Sequence, residues 1–150
     1  MSNDAAPAPP LIRITSSSHF SAAHRLQNDS KEADWNRLVF DKCNNPFGHG
    51  HTYVLDVTVE GPLQEETGWV MDFKDLKRVV DERIIQRCNC RNLNVDVPFL
   101  HGVNPTAEIL AVKFWEELEP ALAPIRLVRV VLHETPRNKV VYTGSRSRSE

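Results

Sequence analysis

Residues 50–61 read GHTYVLDVTVEG, a run in which apolar and polar side chains alternate almost without a break. In an extended strand successive side chains point to opposite faces. His51, Tyr53, Leu55, Val57 and Val59 therefore share one face, and Thr52, Asp56, Thr58 and Glu60 occupy the other. This is the pattern of a sheet with one covered side and one polar side.

On the N-terminal side, Leu11 to Leu26 carries short β-branched or aromatic apolar residues and reads as a preceding strand. Residues 27–42, QNDSKEADWNRLVFDK, form a connection longer than a simple hairpin needs, and connections of that size often carry function. Downstream, Asp72 is placed to cap a helix through KDLKRVVDERIIQR, in which Phe73, Leu76, Val79 or Val80, and Ile84 recur at helical spacing. Thr106 is placed to cap a second helix through AEILAVKFWEEL, expected to end before Pro120. Two strand-like runs, IRLVRVVLHE and NKVVYTG, follow Pro124 and are joined by the turn-forming TPRN. Strands grouped before and after a pair of helices predict an α+β fold of order ββααββ, an antiparallel sheet with two helices on one face.

At 150 residues, 41% hydrophobic and 25% charged, the chain has the length and balance of one soluble domain. A net charge of −2 gives no basic excess to hold nucleic acid, and no apolar run approaches the ~18 residues that span a membrane. Residues 1–10 read as a disordered Pro/Ala leader rather than a secretion signal, which implies a cytoplasmic protein. Residues 11–144 form the expected domain, and 145–150 a polar, solvated tail. Three cysteines, Cys43, Cys88 and Cys90, are too few for a disulfide scaffold and read as free thiols.

Three of the six histidines fall in two local signals, His24 in FSAAHRL and the pair His49 and His51 in GHGH. Positions i and i+2 of a strand point to one side, so the two imidazoles of His-Gly-His can converge on an ion, with His24 on the neighbouring strand as a third ligand. Three neutral imidazoles leave one tetrahedral position open, which suits a catalytic Zn2+. Histidines so spaced also simply pack or hydrogen-bond, and that reading stays open. His19, His101 and His133 have no partner at ligand spacing and receive no role. Cys43 lies six positions before His49 in the turn-rich KCNNPFGHGH. Beside a cation its thiol would become a thiolate able to take up protons; a packed free cysteine is the alternative.

FSAAHRL, KCNNPFGHGHTYVLDVTVEG, TGWVMDFKDLK, NLNVDVPF, PTAEILAV and VVLHETPRNKVVYTG together resemble, in order, the blocks of the 6-pyruvoyl-tetrahydropterin synthase family, over about Ile12 to Gly144. The resemblance implies the tunnelling fold, whose ββααββ subunits join their sheets into a barrel and pair as trimers into a homohexamer. It implies a zinc-dependent lyase in tetrahydrobiopterin biosynthesis that converts 7,8-dihydroneopterin triphosphate to 6-pyruvoyl-tetrahydropterin and triphosphate. By the same resemblance His24, His49 and His51 would hold zinc, Cys43 would abstract the proton, and Glu134 would accept from the pterin ring edge. Thr106 and Glu108 would make neighbouring ring contacts, although a helix cap and a first-turn acid also account for them. Arg25 and Lys42 are candidates for the triphosphate.

One word departs from the family. Where the family carries an Asp-His pair that assists the thiolate, this chain reads CNCRNLN, with Asn89 in the aspartate's place and Cys90 in the histidine's. An amide carries no compensating charge, and a thiol with a pKa near ~8.5 shuttles protons less well at neutrality than an imidazole near ~6.5. Two alternatives to the synthase follow: a zinc- and pterin-binding paralogue with little turnover, and a 6-carboxy-tetrahydropterin synthase-like activity.

Overall fold

The computed structural model describes residues 7–145. The first six residues of the expected leader, and all but Ser145 of the expected tail, lie outside them. Strands β1 (Leu11–His24) and β2 (His49–Pro62) run antiparallel over their whole length, from Leu11 opposite Pro62 to His24 opposite His49. β2 pairs antiparallel with β4 (Arg126–His133), and β4 with β5 (Lys139–Tyr142). The two-residue β3 (Arg91–Asn92) adds a parallel edge to β1, giving the order β3-β1-β2-β4-β5. The sheet is thus mixed only at its short edge, and the α+β layering holds.

The alternation at residues 50–61 does what its spacing dictates. Tyr53, Leu55, Val57 and Val59 are fully buried beneath the helices. On the open face Arg13 meets Glu60 at 2.7 Å, Thr15 meets Thr58 at 2.8 Å and Ser21 meets Thr52 at 3.1 Å. Helix α2 (Phe73–Val80) begins where Asp72 accepts the Lys74 N–H at 2.8 Å, then continues through a wide π turn (Asp81–Ile85) into the short α3 (Gln86–Cys88). It inserts Leu76, Val80 and Ile84 into the core. Helix α4 (Ala107–Leu122) is capped by Thr106 Oγ1, which accepts the Ile109 N–H at 3.2 Å. Phe20 stacks on Tyr53 with centroids 4.9 Å apart and meets the Phe114 edge at 5.9 Å, locking β1 and β2 to α4.

Two sequence expectations need correction. Helix α4 does not stop before Pro120 but runs to Leu122. Pro120 sits in the last turn, where its φ fits the helix and only one intrahelical bond is forgone, while Leu118 and Leu122 are buried and hold that turn to the core. The chain leaves the helix at Ala123, just ahead of Pro124. The 27–42 connection also contains a helix, α1 (Ala33–Phe40), followed by a 3-10 turn (Asp41–Asn44). Its anchor is the buried Asn36, whose Oδ1 accepts the Asn28 N–H at 2.7 Å and whose Nδ2 faces the carbonyls of Asn28, Lys31 and Glu32.

Candidate metal centre

The last residue of β1 and the first of β2 are directly opposed partners, His24 and His49. One pleat further along β2, His51 returns to the same face. The register of the long hairpin therefore delivers three imidazoles to one spot, with ligand atoms all within 4.8 Å of one another. His24 Nε2 lies 3.2 Å from His49 Nε2. Gly48 permits the close approach of the two strand ends: its φ is 73°, and a Cβ there would sit 2.7 Å from the His24 carbonyl oxygen.

The surroundings prepare these rings as ligands. His24 is fully buried, and its Nδ1 donates to the Pro105 carbonyl at 2.8 Å, which leaves Nε2 with a free lone pair facing its partners. His51 Nε2 is buried with no hydrogen-bond partner, a costly state that a cation at the cluster would relieve; His49 Nδ1, on the far side of a ring that meets His24 through Nε2, is also unpartnered. Burial, together with the neighbouring imidazoles, lowers the pKa of His24, and burial lowers that of His51, so both are biased toward the neutral form a metal needs. The three histidines fit a metal ion.

Around the cluster, Glu134 reaches in from just beyond β4, its Oε1 3.8 Å from His24 Nε2 and 3.7 Å from His51 Nε2. The Tyr53 hydroxyl lies 3.4 Å from His24 Nδ1, and burial followed by the Glu134 charge raises its pKa well above the usual phenol value. Cys43 is half-buried on the 3-10 turn. Burial, then the charges of Glu134 and Asp41, push its thiol pKa up, so the chain by itself holds Cys43 protonated. Cys88, by contrast, is a core residue pushed up to about 12 by burial.

Asparagines hold this loop against the hairpin end. Leu26 N–H donates to the Cys43 carbonyl at 2.8 Å, the buried Asn44 donates to Leu26 O at 2.8 Å, and Arg25 Nε donates to Asn44 O at 3.2 Å. Asn94 accepts the Arg25 N–H and donates to the Arg25 carbonyl, each at 2.8 Å. None of these clamps shows in hydrophobic periodicity. Their only trace is that Asn44 and Asn94 lie inside the words KCNNPFGHGH and NLNVDVPF.

The remaining sequence candidates are not members of the three-histidine cluster. Thr106 is next to Pro105, which holds His24, and its hydroxyl oxygen accepts the Ile109 N–H at the α4 cap while its O–H stays able to donate. Glu108 is exposed on the first turn of α4, and Lys42 is exposed. Asn89 Oδ1 accepts the Ser21 N–H at 2.9 Å, and the exposed Cys90, at φ 58°, shares a shallow cleft with His51 and Thr52. Of the histidines left without a role, His133 pairs with Asp56 at 3.0 Å on the open face of the sheet, and His101 Nε2 lies 3.1 Å from the Val95 carbonyl.

A five-stranded sheet backed by helices on one face, with three histidines gathered at the end of its long hairpin, defines a tunnelling-fold subunit with a candidate metal centre. The family model for 6-pyruvoyl tetrahydropterin synthase matches residues 13–145. The chain is 41% identical over 138 residues to the 6-pyruvoyl tetrahydrobiopterin synthase of Poecilia reticulata, covering 92% of this chain and 94% of that one. It is 43% identical over 125 residues to the Homo sapiens protein of the same name, covering 83% and 86%. The structure of Caenorhabditis elegans 6-pyruvoyl tetrahydropterin synthase superposes with a TM-score of 0.87 at 33% identity, over 93% of this chain and 100% of that one. The chain belongs to the 6-pyruvoyl tetrahydropterin synthase family.

Proposed function

We propose that this protein is a zinc-dependent lyase that converts 7,8-dihydroneopterin triphosphate to 6-pyruvoyl-tetrahydropterin and inorganic triphosphate, on the route to tetrahydrobiopterin. The observation that carries the reading is the convergence of His24, His49 and His51 beside Glu134. In this assignment the three histidines hold zinc. The ion supplies Lewis acidity toward the substrate's side-chain hydroxyls, acidifying the adjacent C–H bonds.

The other roles belong to the chain. Glu134 accepts two donors from the pterin ring edge in bidentate fashion, and Thr106 and Glu108 make further ring contacts. Cys43 takes up the proton. Burial and two carboxylates raise the Cys43 pKa, so a positive charge at the loaded site would favour its thiolate, which couples its basicity to that site. Exposed apolar side chains, among them Leu38, Phe47 and Trp69, together with free edges at β3 and β5 among the described residues, support assembly of subunits into the homohexamer. No helix among the described residues is long and apolar enough to cross a membrane, and we place the protein in the cytoplasm.

A second reading, a metal- and pterin-binding protein with little turnover, is favoured by Asn89 and Cys90. Asn89 is neutral and already engaged with the strand β1 backbone, and neither side chain reproduces an acid-imidazole pair. Turnover of 7,8-dihydroneopterin triphosphate with identification of the product separates the readings. Release of triphosphate with 6-pyruvoyl-tetrahydropterin supports the synthase. Stoichiometric binding without product supports the second reading, and 6-carboxy-tetrahydropterin would replace both.

A further inference from the structure

The hairpin end that gathers the histidines also borders a cavity of about 850 Å3, lined by Arg25 and Gly48, the chain neighbours of His24 and His49. Arg25 is half-buried there and fixed at three points. Asn94 Oδ1 accepts its N–H and Asn94 Nδ2 donates to its carbonyl, each at 2.8 Å, and its Nε donates to the Asn44 carbonyl at 3.2 Å. Its two terminal nitrogens meet no acceptor and no carboxylate among the described residues. An arginine whose backbone and Nε are held while the end of its fork stays empty is pre-organised for an acidic ligand rather than for the fold.

Three further asparagines line the cavity, and each has its side-chain oxygen committed. Asn28 Oδ1 accepts the Ser30 N–H at 3.0 Å, Asn92 Oδ1 accepts the Asn94 N–H at 2.9 Å, and Asn104 Oδ1 accepts the Gln27 N–H at 3.1 Å. Only the oxygen of an amide can accept a backbone N–H, so these bonds settle which atom of each amide is which. What each amide has left over is an Nδ2 donor, and none of the three Nδ2 groups has a hydrogen-bond partner among the described residues. The one acid that lines the cavity, Asp29, is exposed and turns Oδ1 to Gln27 Nε2 at 2.7 Å. Spare donors gathered around one unpaired cation fit a ligand made of acceptor oxygens and carrying negative charge.

We propose that this cavity is a polyphosphate subsite, in which the Arg25 fork and the amides of Asn28, Asn92 and Asn104 hold phosphate oxygens. That the polyphosphate is the triphosphate of 7,8-dihydroneopterin triphosphate rests on the function proposed above. The placement suits it, because the triphosphate hangs from the end of the same side chain whose hydroxyls are assigned to the histidine cluster, and the cavity begins at the residues next to His24 and His49. Of the two basic residues singled out in the sequence, only Arg25 lines the cavity; Lys42 does not. Neutral amide donors also suit a product that must leave, since they orient phosphate oxygens without the charge that would retain released triphosphate.

Inorganic triphosphate is the probe, titrated calorimetrically into the full-length protein as purified; 7,8-dihydroneopterin, which carries the ring and hydroxyls but no phosphate, is titrated separately. Arg25→Ala is expected to weaken triphosphate binding at least about tenfold and to leave dihydroneopterin binding within about twofold, whereas Lys42→Ala should change neither. Asp29→Asn, which removes the one acid, should tighten triphosphate binding at least about twofold. Triphosphate also chelates metal ions, but it does so equally in every variant, so the differences between variants carry the result. Wild-type affinity in Arg25→Ala, or a loss that follows Lys42→Ala instead, overturns the subsite. An equal loss of dihydroneopterin binding overturns it too, since Arg25 would then shape the site rather than hold the anion. Should Arg25→Ala misfold, Asp29→Asn decides alone, and unchanged or weaker triphosphate binding there overturns the proposal. Arg25-dependent triphosphate binding in a protein that forms no 6-pyruvoyl-tetrahydropterin keeps the subsite and removes only the substrate assigned to it. Turnover by a protein whose triphosphate binding ignores Arg25 removes only this inference.

Discussion

Gly48→Ala tests whether the approach of two strand ends, rather than the histidines alone, builds the metal centre. An added Cβ would stand 2.7 Å from the His24 carbonyl oxygen and 3.3 Å from its carbonyl carbon, both backbone atoms that cannot rotate aside. The φ of 73° adds a second cost, because an L side chain in the left-handed region is disfavoured by ~1–2 kcal/mol. Part of this is offset by the stiffer unfolded chain, worth ~0.4–1 kcal/mol. Gly68 supplies the control, with φ 69° and nothing within 4 Å of its added Cβ. Gly68→Ala should therefore cost roughly 1 kcal/mol. Gly48→Ala should cost roughly 2–4 kcal/mol once ~1–3 kcal/mol of overpacking is added. For a chain of this size that is a fall in Tm of roughly 5–15 °C against roughly 2–4 °C, compared at equal protein concentration. Since Gly48 leads directly into His49, relief of the clash should also widen the 3.2 Å gap between His24 and His49 and weaken metal uptake. Equal melting temperatures for the two variants, with full metal stoichiometry in Gly48→Ala, would mean that the close approach at Gly48 does not build the centre.

His49→Ala combined with His51→Ala should abolish stoichiometric metal in elemental analysis, because a single remaining imidazole rarely holds zinc against water; one ion per chain in the variant would sink the ligand assignment. Glu134→Gln should weaken pterin binding by ~2–4 kcal/mol, as a charged acceptor becomes an amide with a donor of its own, and an unchanged Kd in a fluorescence titration would place ring recognition elsewhere. His24 and His51 are held below their ordinary pKa of 6.5 by burial, so as pH falls below 6.5 the unfolded chain takes up protons before the fold does. The metal-free protein should accordingly keep this stability above that pH and lose it as pH falls through the lowered folded values; a Tm that stays flat from about pH 7 to 5 would contradict it. Asn89→Asp with Cys90→His should raise steady-state turnover at neutral pH far more than either change alone, since acid and imidazole act as a unit; a double variant no faster than wild type would mean that proton transfer is not the deficit.

The parts of the fold that follow from side-chain period were legible in the sequence. Residues 50–61 alternate and form β2, and Asp72 and Thr106 cap the helices they were expected to cap. The convergence of His24, His49 and His51 was legible for the same reason, because two residues apart on a strand means one face, and the hairpin register then brings in the third ring. What escaped depends on polar contacts that have no period. The α1 segment is organised by the amide of Asn36 satisfying four backbone groups, and nothing in ADWNRLVF announces that its most buried residue is an asparagine. Pro105 escaped too, because its contribution is a main-chain carbonyl that any residue could supply, aimed at His24 from far along the chain. Pro120 misled for the opposite reason: the rule against proline inside a helix weakens in the final turn, where buried Leu118 and Leu122 keep the geometry.

Asn89 and Cys90 show that what a scaffold requires of a position and what the chemistry requires of it can be separate. At residue 89 the fold uses one side-chain atom, the Oδ1 that accepts the Ser21 N–H at 2.9 Å, beside a backbone N–H that donates to the Ile85 carbonyl at 2.8 Å, and an aspartate presents the same acceptor. At residue 90 the fold uses only the backbone, whose N–H donates to the Ser21 carbonyl at 2.6 Å, while the thiol stands exposed. The φ of 58° there is a region that histidine enters more readily than most side chains, so stability gives no reason to prefer cysteine. Restoring an aspartate and a histidine would therefore leave the β1 edge as it is. Under the proposed function, the choice of thiol over imidazole would bear on proton transfer in the cleft that Cys90 shares with His51 and Thr52, and not on whether the subunit folds.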